Sequence, residues 1–339
     1  MVAASRYGFV AMIRYLLLVL ILPWQALAAP RPMLLHVSYD ATRELFADYN
    51  RWFEKQQQAE GLEKPKIRMS HGGSGKQARA VIDGLPADIV SLALGYDVDA
   101  LAARGMVAKD WAQQWPHDST AFYSTIVLLV RKGNPKQIQG WGDLARRDVH
   151  ALTPNPKTSG GARWGYLAAW AYAQQTYDSE PSARAFMRAW LSRVKVFDTG
   201  ARAATTNFVR RGQGDVLITW ETEARIAQHY FGDDAFEIIM PNITMKAEPK
   251  LAVLPANIKV HRTEALAKRY LSGLYEAEPQ QMIVEHFFRT PLYPEPKNLA
   301  SLKGVTLITI DALGGWNKMQ QEHFSEGGLF DQFTARGTP

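Results

Sequence analysis

Short β-rich runs alternate with one-sided helical stretches along most of this chain, and that alternation is what most restricts its fold. The runs are Leu34–Ser38, Ile67–Ser70, Asp88–Leu92, Thr125–Val130, Val194–Phe197, Val216–Thr219 and Ile238–Met240. Between them apolar residues recur at helical spacing. Leu45, Tyr49, Trp52 and Phe53 share one face of a helix predicted over Arg43–Gln58; Met187, Trp190, Leu191 and Val194 share another, and Leu266, Tyr270, Leu271 and Leu274 a third. Strands separated by amphipathic helices predict an α/β class with mostly parallel sheets covered on both faces. A length of 339 residues corresponds to about two domains. The linker-like stretches Trp115–Ser119 and Pro291–Leu299 are too short for tethers, so the domains are expected to be closely coupled.

Cysteine is absent, which removes disulfides, thiolate zinc sites, iron–sulfur clusters, a Cys nucleophile and a lipid-modified N-terminal Cys. Arg6 and Arg14 precede the apolar run Leu16–Leu22, and Ala26-Leu27-Ala28 supplies the small residues a signal peptidase reads. Residues 1–28 therefore read as a cleavable signal peptide; the run is shorter than the roughly 20 apolar residues that span a bilayer, and Pro23 interrupts it. The formal charge of +6 comes from 39 Lys+Arg against 33 Asp+Glu. Cleavage removes two arginines and leaves a diffuse excess with no basic tract, which argues against a nucleic-acid partner. An exported chain without lipid anchor or membrane span needs an outer barrier to retain it, so a Gram-negative periplasm is expected.

Three polar, glycine-rich segments sit where a strand hands over to a helix: Ser70–Lys76 (SHGGSGK), Asn155–Gly161 (NPKTSGG) and Asp198–Arg202 (DTGAR). A helix start leaves its first N–H groups without intrahelical partners, and the aligned peptide dipoles place partial positive charge there. Glycine lets an anion approach that backbone closely. Three such starts converging in a cleft make an oxyanion site from neutral donors. Enzyme motifs fail on the same segments. A Walker-type loop would need glycine and Ser or Thr where Ser70 and Gln77 stand, and a nucleophile elbow around Ser74 would need glycine at Lys76. His71, His286 and His323 belong to no two-histidine metal spacing.

The strings Val37–Asp40 (VSYD), Ser70–Gln77 (SHGGSGKQ), Val130–Gln137 (VRKGNPKQ), Thr153–Trp164 (TPNPKTSGGARW), Gly214–Trp220 (GDVLITW) and Gly314–Trp316 (GGW) resemble those of periplasmic sulfate-binding proteins. The similarity runs in order from about residue 33 to residue 335. It implies a two-lobed type II periplasmic binding protein with a multi-strand hinge and an interlobe ligand cleft. The chain would be a monomeric solute-binding component, not an enzyme, that uses no cofactor or metal and hands a sulfate ion to a membrane ABC sulfate permease. Carried over by position, the resemblance puts the N–H of Asp40, the N–H and hydroxyl of Ser74, the N–H groups of Gly160, Gly161 and Ala201, and the indole N–H of Trp220 on the sulfate oxygens. Lobe I is expected over 29–116 and 225–305, and lobe II over 117–224 and 306–339.

Donors alone suit this ligand. Sulfate carries no proton near neutral pH, so every oxygen accepts, whereas hydrogen phosphate brings an O–H that an all-donor cavity leaves unpaired. The Asp40 carboxylate is therefore expected to point away from the anion. Lys76, Lys157, Arg163 and Arg202 flank the loops; a basic residue at a helix start is usually solvated or paired with an acid, and the alternative role for each is to tune the cleft potential without touching the ligand. A thiosulfate-preferring member of the same class is the alternative; such relatives tend to differ in the Ser74 and Gly161 loops and to lack an indole at position 220. An exported phosphatase or sulfatase using Ser74 as nucleophile is a more distant alternative, without an evident base, metal set or orienting group.

Overall fold

A computed structural model describes residues 32–232 and 234–335; the signal peptide expected over 1–28 lies outside them. Two sheets organise the described chain. The first has the order β10-β3-β1-β2, with β1 Met33–Tyr39, β2 Lys66–Gly72, β3 Ile89–Leu92 and β10 Lys250–Val253. Strand β1 runs parallel to β2 and β3, while β10 arrives from far along the chain and pairs antiparallel with β3. Side chains alternate across β1. Leu34 and His36 face the helix Arg43–Ala59, where His36 meets the Phe46 ring edge-on, and Val37 packs with Val81, Val90 and Leu92 on the other face.

The second sheet has the order β6-β5-β7-β4-β8, with β4 Ile126–Arg131, β5 Ala151–Pro154, β6 Phe197–Asp198, β7 Val216–Trp220 and β8 Phe236–Ile239. Strand β4 is apolar throughout except for Arg131, as expected of a central strand buried on both faces. Val127 and Leu129 pack on Phe208, whereas Ile126 and Leu128 belong to the cluster holding Trp164 and Leu167 of the helix Gly160–Thr176. Both sheets are mixed, the first because β10 is antiparallel to β3 and the second because β4 is antiparallel to both β7 and β8. Strand β8 comes from the stretch 225–305 yet pairs with β4, in the second sheet. A small parallel pair, β9 Ile243–Met245 with β11 Thr306–Ile308, completes the set.

The chain passes between the sheets in neighbouring extended segments. Tyr123 and Arg289 exchange backbone hydrogen bonds at 2.8 and 2.9 Å, and Ser124 and Ala247 do so at 3.0 and 2.9 Å. Beside this crossing, Arg289 and Glu221 form a fully buried ion pair. Arg289 also donates to the carbonyls of Pro294 and Ala300, and Glu221 accepts from the Thr125 hydroxyl and the Ala300 N–H. Such saturation offsets the desolvation of two buried charges. Among the described residues no helix is long and apolar enough to cross a membrane.

Candidate functional site

Five strand ends point at one small cavity, with about 10 Å³ open to a sphere the size of a water molecule. Strand β1 ends at Tyr39 and turns through Asp40 into the helix Arg43–Ala59, and β2 ends at Gly72 before the helix Ser74–Ile82. From the second sheet, β5 leads to the helix Gly160–Thr176, β6 to the helix Ala201–Arg211, and β7 ends on Trp220 itself. Of the residues expected at the site, Asp40, Ser74, Gly161, Ala201 and Trp220 line this cavity. Gly160 sits directly behind, packed so closely that an added Cβ would lie 2.9 Å from the Cβ atoms of both Ser74 and Ala93.

The donors follow from the local structure. Asp40, Ser74, Gly160 and Ala201 occupy the first position of a helix or helical turn and Gly161 the second, where N–H groups have no intrahelical acceptor. Trp220 is 1% exposed, and its indole N–H has no hydrogen-bond partner. A buried N–H aimed into a cavity without an acceptor is the strongest local indication of a missing acceptor. The Tyr39 hydroxyl, also from the cavity lining, is likewise unpartnered; burial and the charge of Glu223 push its pKa well up, so it keeps its proton. Glycine is required at Gly161, because a Cβ there would come within 2.8 Å of the Trp220 indole nitrogen.

Two hydroxyls differ from the sequence expectation. The Ser74 hydroxyl donates to Asp97 Oδ2 at 2.5 Å and accepts from the Ala93 N–H at 2.9 Å, so its proton is turned out of the cavity and only its N–H faces inward. Ser159, absent from the expected set, lines the cavity at 3% exposure and caps the helix Gly160–Thr176 by accepting from the Ala162 N–H at 3.3 Å. That leaves its own proton free. The signal was present in the sequence, since Ser directly before a helix that opens Gly-Gly is an N-cap pattern.

Apart from Asp40, charge is arranged around the cavity, not in it. The Asp40 carboxylate pairs with Arg43 at 3.1 Å and lies against Gly200. Arg202 is held by Glu44 at 2.8 and 2.9 Å and by Glu223 at 3.3 Å. Lys157 binds Asp331 at 2.8 Å and two carbonyls, Arg163 donates to the Pro156 carbonyl at 2.8 Å, and Lys76 is exposed. Among the described residues, no lysine or arginine lines the cavity. The buried Asp97 carboxyl is pushed up in pKa by desolvation, against the opposing effects of Arg163 and the Ser74 hydroxyl. Neutral amides, a hydroxyl and an indole therefore offer a guest donors backed by the dipoles of four helical starts.

The two sides of the cavity touch across it. An added Cβ at Gly73 would lie 2.5 Å from the Thr158 carbonyl oxygen, and the Trp164 indole donates to the Ala93 carbonyl at 2.8 Å. No histidine is bonded to Ser74, whose hydroxyl donates to the buried Asp97 carboxylate. Among the described residues, no group of metal-ligating side chains is assembled.

Residues 34–289 match the family model described as bacterial extracellular solute-binding protein. A sulfate-binding protein from Salmonella typhimurium is 46% identical over 324 residues, covering 94% of this chain and 97% of the relative. A thiosulfate-binding protein from Pseudomonas aeruginosa is 42% identical over 303 residues, covering 88% of this chain and 91% of that one. Among solved structures, the sulfate-binding protein SubI from Mycobacterium tuberculosis superposes with a TM-score of 0.75 at 30% identity, over 87% of this chain and 100% of that chain.

Proposed function

Because the chain belongs to the bacterial extracellular solute-binding proteins and shares their two-sheet periplasmic binding protein fold, we propose that it binds sulfate in the periplasm and delivers it to a membrane ABC sulfate permease. It acts as a monomeric carrier. The sulfate oxygens take the N–H groups of Asp40, Ser74, Gly160, Gly161 and Ala201, the Trp220 indole N–H and, in place of the Ser74 hydroxyl, the hydroxyl of Ser159. The observation that carries this reading is the Trp220 N–H, buried at the cavity wall with nothing to donate to.

Hydrogen bonds to a charged acceptor contribute about 1.5–3 kcal/mol each. Seven of them, less desolvation and the cost of bringing two lobes together, leave on the order of −8 kcal/mol, the scale of micromolar binding. Lobe I is built on the first sheet and carries Asp40 and Ser74. Lobe II is built on the second and carries Ser159, Gly160, Gly161, Ala201 and Trp220, with β8 and β9 assigned to it as well. Ligand bonds from both sides supply the differential affinity that favours the closed form. Sulfate is preferred to thiosulfate, in keeping with Trp220 and the SHGGSGKQ and SGGAR loops.

Calorimetric titration of the purified, anion-stripped protein with sulfate, thiosulfate and inorganic phosphate tests this. Sulfate is expected to bind at micromolar concentration or below, thiosulfate more weakly, and phosphate weakest. Phosphate binding as well as sulfate would contradict the all-donor cavity.

A further inference from the structure

Asp97 is 4% exposed and does not line the cavity, yet it decides what Ser74 can offer there. Its Oδ2 takes the Ser74 proton, while the Ser74 oxygen takes the Ala93 N–H. Gly160, packed against the Ser74 and Ala93 Cβ atoms, leaves the serine little room to turn. The Asp97 carboxylate thus lies one hydroxyl behind the wall of a cavity that otherwise presents donors. Ser74 keeps that acceptor covered.

Resting on the reading that the cavity holds a tetrahedral oxyanion, we propose that the Asp97–Ser74 pair is a specificity determinant: the hydroxyl masks a carboxylate that would otherwise accept the proton of a protonated oxyanion and repel an unprotonated one. Asp97 is the positioning residue of the pair and Ser74 the mask. Sulfate passes because it needs no acceptor. Monohydrogen phosphate finds the acceptor behind Ser74 already occupied. Uncovering Asp97 reverses both effects, since like charges close together inside a protein are poorly screened and a buried carboxylate without a donor seeks one.

The test titrates sulfate and inorganic phosphate into full-length mature protein, at a pH where the monohydrogen form of phosphate dominates, for wild type, Ser74→Ala, Asp97→Asn and the double variant. Thermal unfolding of each variant reports whether it is folded. Ser74→Ala is expected to weaken sulfate about 100-fold and to lower the sulfate-to-phosphate preference at least about tenfold. Adding Asp97→Asn brings sulfate back to within about tenfold of wild type and restores the preference, because only a neutral hydroxyl is then missing. Asp97→Asn alone leaves sulfate no weaker than within about threefold, since the asparagine N–H satisfies Ser74 and frees its proton for the ligand. Equal sulfate affinity in Ser74→Ala and the double variant, or an unchanged preference in Ser74→Ala, overturns the proposal. Should Ser74→Ala not fold, a loss of more than about tenfold in Asp97→Asn does so. Wild type that binds neither anion overturns the parent reading and this one together; wild type that binds sulfate beside variants that leave its selectivity unmoved overturns this one alone.

Discussion

Arg202 and Glu44 form a two-pronged ion pair, at 2.8 and 2.9 Å, that ties the helix starting at Ala201 to the helix starting beside Asp40. The same guanidinium reaches Glu223, three residues beyond Trp220, at 3.3 Å. One cation thus fastens three of the segments that aim donors at the cavity, while two carboxylates spend its charge outside. This explains how a basic residue next in sequence to Ala201 can be absent from the cavity lining.

Glu44→Gln should loosen that fastening without touching the ligand. The pair is partly exposed, so its contribution is modest. A dissociation rate raised about three- to tenfold with a nearly unchanged association rate is expected from stopped-flow fluorescence. Burial pushes the Glu44 pKa up, but hydrogen bonds from Arg202 and its charge outweigh this and hold it below the ordinary value. A carboxylate depressed in the folded state contributes stability that is present above its unfolded pKa and lost as pH falls through the folded one. Wild type should therefore lose more stability than Glu44→Gln on acidification below the ordinary carboxylate range, as read by urea unfolding at a series of pH values.

Trp220→Phe keeps an aromatic ring, though a smaller one, and removes the unpartnered N–H. Calorimetry should show sulfate binding weakened about 10- to 100-fold, the range for a hydrogen bond to a charged acceptor. The unliganded variant should lose about 1–2 kcal/mol of stability for exchanging a buried indole for a smaller ring, and nothing further for the N–H, which has no protein partner.

Gly73→Ala separates folding from closure. Gly73 has φ −59°, which alanine adopts without strain, yet its Cβ would fall 2.5 Å from the Thr158 carbonyl oxygen and 3.1 Å from that of Thr199, both on the other side of the cleft. Backbone on both sides cannot give way cheaply. Sulfate affinity should drop more than about 100-fold, and small-angle scattering should show no compaction on adding sulfate, while the thermal midpoint without ligand stays near wild type.

His323 gives the fold a separate acid sensitivity. It is fully buried, bonds the Tyr166 hydroxyl at 2.8 Å, and has its pKa lowered to about 4 by burial, with help from Arg184 and Lys318. The unfolded chain protonates this ring near its ordinary value, so below that pH the unfolded state binds the extra proton and stability falls until the folded pKa is reached. Between about pH 6.5 and pH 4, the unfolding free energy of wild type should decline more steeply than that of His323→Gln.

The α/β class and the turns at Ser70–Lys76, Asn155–Gly161 and Asp198–Arg202 were legible because their signals are local: apolar period, glycine, and a strand followed by a helix. Strands β5, β9, β10 and β11 were not legible, since each is short and paired with a distant segment, as Lys250–Val253 is with Ile89–Leu92. The run expected at Val194–Phe197 forms a strand only over Phe197–Asp198, where β5 supplies a partner. At the site, backbone donors followed from helix starts, but hydroxyl directions did not. Ser74 turns toward Asp97, 23 residues away, and Ser159 accepts from its own helix, which leaves its proton free to donate. Trp220 could be read from its neighbours as strand-end packing; its missing partner emerges only when both sides of the cavity are assembled.

The most direct test is a crystal structure of the protein grown with sulfate. The expected density is one tetrahedral anion between Asp40 and Trp220, within hydrogen-bonding distance of the Asp40, Ser74, Gly160, Gly161 and Ala201 amides, the Ser159 hydroxyl and the Trp220 indole, with each lysine and arginine nitrogen held beyond contact. An anion coordinated there by a guanidinium or ammonium group, or seated elsewhere while this cavity holds only water, would contradict the account.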